Sequence, residues 1–334
     1  MDDTKRWTAR LRPFMVADDR RGFLELFVTL ALASALWLAA ALLLMNGYWW
    51  LVLPVMPLAS LMLVRLFIIQ HDCGHGALFS TPQLNDRVGR VLGILTFTPY
   101  AYWRHSHNLH HAGSGNLDKR GVGGDIKTLT VAEYQALSFW GRLSYRAYRH
   151  PLVLFAIGPA YVFLIQQRWP YGFEDRREAW VSSFATNAGL LAFNGLLWYV
   201  FGWQVMLFVH LPVVLMGSII GVWLFYIQHQ FDPTFWARAP EWQREEAALE
   251  GSSFYDLPKP LMWATGNIGI HHVHHLAARV PFWRLPEVLK AYPEFAEKGR
   301  LTFWQSLKCV RLTLWDEAAK RLITFGDFRH LQPA

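Results

Sequence analysis

From Val181 to Gln228 the chain runs 48 residues without Asp, Glu, Lys or Arg. As a helix that run would extend roughly 70 Å, more than twice the hydrocarbon thickness of a bilayer. A soluble core has no room for it, so it is expected to form two membrane crossings that meet near Gly202. A second such region lies nearer the N-terminus. Leu26 to Met45 is 20 residues without a charge, about one bilayer in length. Asn46-Gly47 is the expected turn, and Tyr48 to Val64, carried past Arg65 by Leu66-Phe67-Ile68-Ile69, is expected to return. Only 17% of the chain is charged, against about 25% in an ordinary soluble domain.

The first apolar run is too long for the core of a cleavable signal peptide, and none is expected. Val91 to Trp103 is too short to cross, and Pro151 to Gln167 is interrupted by Gly158-Pro159. Both are expected to be re-entrant or interfacial helices. The expected fold is thus an all-α integral membrane protein with four transmembrane helices in two hairpins and a cytoplasmic cap. The expected segments are a cytoplasmic N-terminal stretch (1–22), a membrane domain (23–278) and a helical cap (279–334), with Leu285 to Lys290 and Thr302 to Leu322 as the cap's helical stretches.

Basic residues set the expected orientation, because Lys and Arg near helix ends stay in the cytoplasm. Lys5, Arg6, Arg10, Arg12, Arg20 and Arg21 precede the first run, and Arg87, Arg90, Arg104, Lys119, Arg120, Lys127, Arg142, Arg146 and Arg149 lie between the hairpins. The turns at Asn46-Gly47 and Gly202 carry no charge, so both termini and the middle segment are expected on the cytoplasmic side. Anionic headgroups account for the net charge of +7, and no nucleic-acid partner is implied.

Most of the 14 histidines stand in three tight groups: His71-Asp-Cys-Gly-His75, His105-Ser-His107-Asn-Leu-His110-His111 and His271-His272-Val-His274-His275. On a helix, positions i and i+4, or i, i+3 and i+4, share a face. That selects His71 with His75, then His107, His110 and His111, then His271, His274 and His275, while His105 and His272 point elsewhere. At this histidine content His-x-x-His-His should arise by chance about 0.02 times in such a chain. Imidazole nitrogens suit first-row metals, and eight donors are too many for one ion. Two metals of five- or six-fold coordination would use eight or nine, for which a di-iron centre with O2 as co-substrate is the natural fit. His229, where the fourth crossing ends, is a ninth candidate. His71 follows the second crossing, His107 to His111 follow the short re-entrant stretch, and His271 to His275 lie beyond the fourth crossing on the same side, so all can converge.

These residues resemble the membrane fatty acid desaturases, whose three histidine boxes read His-x3-4-His, His-x2-3-His-His and His/Gln-x2-3-His-His. The likeness runs from about residue 48 to 290. Ser114-Gly115-Asn116-Leu117-Asp118-Lys119-Arg120 and Asn267-Ile268-Gly269-Ile270 are similar to the acyl-lipid desaturases acting at Δ12 or ω-3 positions. The resemblance implies two iron ions held by His71, His75, His107, His110, His111, His271, His274 and His275, with Gln228-His229 at the position of a further ligand and no catalytic residue beyond the ligands. It implies a lipid acyl substrate and, because the His-Pro-Gly-Gly signature of a fused cytochrome b5 domain is missing, a separate ferredoxin-like or cytochrome b5-like electron donor. Asp72, Asp118, Asp125 and Asp232 are candidate acceptors for the free ring N–H groups. Asn267 would touch the metal shell or cap the helix carrying the third box. A di-iron hydroxylase or ketolase acting on a carotenoid or other lipid would carry similar boxes, and a non-enzymatic metal or haem membrane protein is the remaining alternative.

Overall fold

A computed structural model describes residues 3–121 and 123–330, with side chains from residue 7 onward. The side chains of Lys5 and Arg6 and both chain ends therefore fall outside the described residues. After a short helix α1 (Asp3–Leu11), α2 runs over Asp19–Met45, and α3 over Trp49–Gly74. The Asp18 carboxylate caps α2 by accepting from the Arg21 N–H at 3.0 Å, so the helix starts about two turns before the uncharged run. Gly47 makes the turn at φ +82°, a conformation without penalty only for glycine. Arg65, inside the apolar run of α3, is buried against Glu25 of α2 at 2.6 Å. Its guanidinium also reaches Thr29 at 3.2 Å and the Trp263 carbonyl, and lies 4.2 Å from the Trp263 ring centroid. A charge this deep persists because every face of it is paired.

Among the described residues three helical stretches are long and apolar enough to cross a membrane: α2, α3 and Arg177–His229, which is 53 residues long. The last is not straight. Gly202, at φ 81°, ψ 168°, kinks it inside Arg177–Val205, and beyond the kink a π-helical segment, Met206–His210, leads into Leu211–His229. Ser182, near one end, accepts from the N–H groups of Ala101 and Tyr102 at 3.0 and 3.3 Å, and His229, at the other, meets His110 at 3.1 Å. Both partners lie on one short helix, so the stretch folds back at Gly202. The fold-back is sealed where Val205, Val209 and Val213 pack on Ala40, Ala41, Val52 and Met56.

The single short helix expected over Val91 to Trp103 does not form. α4 (Pro82–Leu95) and α5 (Tyr100–Gly113) are separated by Thr96–Pro99, with Phe97 at φ 58°. Pro99 disfavours helical geometry at Thr98, and Gln70 of α3 holds the break, accepting from the Thr96 hydroxyl at 2.5 Å and donating to the Thr98 carbonyl at 3.4 Å. Downstream, the Phe139–Tyr148 helix and the helical stretch Val153–Arg168 meet at 56°.

Five short strands correct the all-α expectation: β1 (Leu129–Thr130), β2 (Phe254–Asp256), β3 (Arg300–Thr302), β4 (Leu314–Asp316) and β5 (Arg321–Ile323). β4 pairs parallel with β1 and antiparallel with β5, and β2 pairs parallel with β3. The expected helical stretch from Thr302 to Leu322 is accordingly divided. A capping box between Thr302 and Gln305 starts a helix that ends at Cys309, and Leu314–Asp316 and Arg321–Ile323 beyond it pair as strands. The C-terminal third is thereby stitched to residues 129–130 and 254–256, and α1 lies on it through Trp7, whose ring is 4.8 Å from that of Phe295.

Candidate metal centre

Three helices bring the imidazoles together. His71 occupies the last turn of α3 with His75 at its end; α5 carries His107, His110 and His111; and a short buried helix, His271–Leu276, carries the third cluster. His229 arrives at the end of the Leu211–His229 helix. The nine fall into two groups: His71, His75, His107, His111 and His274 in one, and His110, His229, His271 and His275 in the other, with the facing nitrogens of each group within 4.8 Å of one another. Two of the sequence clusters are split between groups. On α5 the i, i+4 pair His107 and His111 faces one group while His110 faces the other, and on the third helix His271 and His275 face the second group while His274 faces the first.

In the four-member group the Nε2 atoms close a ring: His110 to His229 at 3.1 Å, His229 to His271 at 3.1 Å, His271 to His275 at 3.0 Å and His275 to His110 at 3.3 Å. In the five-member group His75, His107, His111 and His274 follow one another at 3.1 Å each. Donors around a first-row ion held at about 2.0–2.1 Å stand about 2.9–3.4 Å apart.

Proton bookkeeping shows what such a ring can hold. The His110 Nδ1–H donates to Asp125 at 2.5 Å, and the His229 Nδ1–H faces the Gly251 carbonyl, which can only accept, at 3.4 Å. Each ring's Nε2 is then a bare lone pair, and the two point at each other across 3.1 Å. His71 is fixed the same way, its Nδ1–H donating to Asp72 at 3.2 Å. Burial above all, with the neighbouring imidazoles adding to it, holds His75, His107, His111, His271, His274 and His275 well below the ordinary 6.5, so protonation does not relieve the repulsion. A cation between the lone pairs does, and the nine nitrogens suit a pair of first-row ions with coordination positions to spare.

Of the proposed acceptors, Asp72 and Asp125 stand beside rings; Asp72 also accepts from the Phe282 N–H at 2.7 Å. The others do not. Asp118 lies at the surface, held by Arg238 at 2.9 Å and the Ala239 N–H at 2.8 Å, and Asp232 is exposed with no ring contact among the described residues. Asn267 neither touches a ring nor caps the third helix. Its amide donates to the Phe282 carbonyl at 3.2 Å, and Ile270 occupies the cap position. His272 also points away, its Nε2–H donating to the Phe295 carbonyl at 2.9 Å, and His105 lies against Phe173.

Two features escaped the sequence reading. Trp103 stacks on His107 with centroids 4.7 Å apart and planes at 15°. Gly123, at φ +76°, lies so close to α5 that an added Cβ would stand 2.5 Å from that of His110. Only glycine permits this approach, and it delivers Asp125 to His110. The signal was present as Gly123-Gly124 directly before Asp125.

A helical body with membrane-length apolar stretches and nine imidazoles in two adjoining groups, six buried and three half-buried, defines a membrane protein of the histidine-cluster class, its groups able to bind metal. The family model described as fatty acid desaturase matches residues 48–307, and the chain belongs to that family. It is 40% identical over 327 residues, 98% of this chain and 92% of the relative, to a fatty acid desaturase of Bacillus subtilis (strain 168). It is 28% identical to the sn-1 acyl-lipid omega-3 desaturase (ferredoxin) of Synechocystis sp., over 68% of this chain and 63% of that one. It is 26% identical to the sn-1 oleoyl-lipid 12-desaturase of Picosynechococcus sp., over 78% and 76%.

Proposed function

We propose that the chain is an O2-dependent di-iron desaturase that introduces a cis double bond into the acyl chain of a membrane lipid or acyl thioester, drawing electrons from a separate ferredoxin-like or cytochrome b5-like donor. The carrying observation is the ring of four Nε2 atoms, in which those of His110 and His229 face each other as bare lone pairs at 3.1 Å, set beside a second group of five. The relatives' names support the substrate class and the donor. Bound to these groups, two iron ions would supply the redox chemistry that activates O2 for hydrogen removal from a methylene.

The protein's part is to hold and orient. His71, His75, His107, His111 and His274 would bind one ion and His110, His229, His271 and His275 the other. Asp72 and Asp125 fix the ring tautomers, which keeps Nε2 of His71 and His110 free as donors. Trp103 on His107 and Phe225 on His110 supply apolar walls that limit water at the reacting side.

We also read the molecule as four crossings, one each for α2, α3, Arg177–Val205 and Leu211–His229, with the imidazoles and both ends in the cytoplasm. The basic residues cluster at the imidazole end of the helices, and the turns at Asn46-Gly47 and Gly202 are uncharged, as retention of Lys and Arg on the cytoplasmic side requires.

Expression in a host lacking polyunsaturated acids, with total fatty acid methyl esters compared against a His107→Ala control, tests the reading. A diene or shifted monoene absent from the control is expected. Unchanged acids with an oxygenated lipid would replace desaturation by hydroxylation, and purified protein without iron would overturn the metal assignment.

A further inference from the structure

Two helices at the edge of the molecule begin with the same pattern. Ser138-Phe139-Trp140-Gly141-Arg142-Leu143 opens the Phe139–Tyr148 helix, and Thr302-Phe303-Trp304-Gln305-Ser306-Leu307 opens the Phe303–Cys309 helix. In each, the hydroxyl residue caps the helix, accepting from the Gly141 N–H at 3.2 Å and the Gln305 N–H at 3.4 Å. In each, the Phe, Trp and Leu of the first turn are left uncovered, with Trp140 and Trp304 exposed by 73% and 75%. Large aromatic side chains in such positions are unusual for a surface that faces only water.

Both helices end on one residue of a membrane-embedded helix. Arg149, closing the first, donates to the Tyr226 hydroxyl at 3.3 Å and to the Leu312 carbonyl at 2.6 Å; the Tyr226 hydroxyl donates to the carbonyl of Cys309, the last residue of the second, at 3.0 Å. Tyr226 lies three residues before His229, about 4.5 Å nearer the bilayer along its helix. Deeper still, Trp223 receives both flanks: Phe155, continuing from the first helix, packs on it at 5.1 Å, and Tyr255, bonded to Ser306 of the second at 3.1 Å, meets its indole N–H at 3.5 Å. Both helices are therefore anchored by their C-terminal ends near the level where an apolar helix leaves the bilayer, and their aromatic N-terminal turns are exposed. Lys308 and Arg311 beside the second are exposed and form no ion pair among the described residues, which suits phosphate headgroups.

We propose that these two Phe-Trp-x-x-Leu helices are paired feet that insert into the headgroup and upper acyl layer of the same bilayer, fixing the height of the cap and its imidazoles over the membrane. Indole at the interface and a short amphipathic helix lying in its plane are the physical basis. The inference rests on the Leu211–His229 helix being membrane-embedded, not on the reaction.

The test places a polarity-sensitive fluorophore on W140C and W304C in the full-length protein reconstituted in phosphatidylcholine/phosphatidylglycerol vesicles; the native Cys73 and Cys309 are buried. Leu191→Cys, exposed on the Arg177–Val205 helix, is the lipid reference, and Glu241→Cys, exposed on the cap, is the water reference. Blue-shifted emission at both tryptophan positions, lost to headgroup-proximal doxyl lipid and not to aqueous iodide, is expected. Iodide quenching there with lipid quenching kept at residue 191 overturns the proposal alone, and quenching by lipid at only one of the two overturns the pairing. Iodide quenching at 191 overturns the membrane reading beneath it. Labels at Leu143→Cys and Leu307→Cys give the same readout should either tryptophan variant fail to fold.

Discussion

The two imidazole groups share α5 and the third-box helix yet differ in the third helix and in their surroundings. The five-member group takes its members from α3, α5 and the third-box helix, and its brace Asp72 is fully buried and shared with the Phe282 N–H. The four-member group trades α3 for His229, and its brace Asp125, on a loop, is partly exposed beside an opening lined by Ser114, Asn116, Arg120 and Gln230 together with Ile126, Phe225 and Trp236. Both groups hang on helices, but one brace is buried on α3 and the other comes from a loop. The difference teaches that the four-member group depends on a loop contact and has one imidazole fewer to lose.

Ligand removal should break that comparison most sharply. His271→Ala leaves three imidazoles in its group and His111→Ala leaves four in the other. Both should abolish product, but metal analysis should find His271→Ala short of about one ion per chain while His111→Ala retains more. Next in size is Arg65→Gln, which leaves the buried Glu25 carboxylate with only the half-exposed Arg21, at 2.5 Å, and withdraws a prop from Trp263 and Phe282 beside Asp72. A loss of about 3 kcal/mol is expected, read from denaturation in detergent, with partial recovery in the Glu25→Gln/Arg65→Gln double variant.

Removing a brace should weaken metal binding about 10–100-fold. Asp125→Asn belongs at the upper end, given its 2.5 Å contact, and Asp72→Asn at the lower, given 3.2 Å. Chelator competition separates them, and equal losses would erase the distinction between the halves. The smallest effect concerns pH. Burial holds His272 down to about 4 from 6.5, so in the metal-free protein the unfolded chain takes up a proton first as pH falls. Stability is then full above 6.5 and declines down to about 4, a loss of about 1.4 kcal/mol at about pH 5.5. His272→Gln should flatten that part of the thermal midpoint's pH profile.

Much of this site was legible because helical spacing is rigid. His71 with His75, His107 with His111 and His271 with His275 share faces for any helix, and all nine grouped histidines were named from spacing and from the end of an apolar run. Their division was not legible. Residues i+3 and i+4 both count as one face, yet they differ by about 100° around the axis, enough for His110 and His274 to serve a different group from their neighbours. Asp118 and Asp232 looked equivalent to Asp72 and Asp125 by proximity in sequence, but Arg238, 120 residues from Asp118 along the chain, claims the first and solvent surrounds the second. The strands were missed because each is two or three residues long, and the β1–β4 and β2–β3 pairs join segments far apart along the chain.

What the sequence determined by itself is what depends on local chemistry: long uncharged runs that must become membrane helices, a glycine that turns each hairpin, and imidazoles at spacings that only a shared ligand explains. Tertiary structure alone decided which imidazole faces which, because that follows from the angle at which α5 and the third-box helix meet α3 and His229. It also decided which carboxylates stand behind the rings and where the two aromatic feet point, since each of these is set by contacts between segments that the chain order keeps far apart.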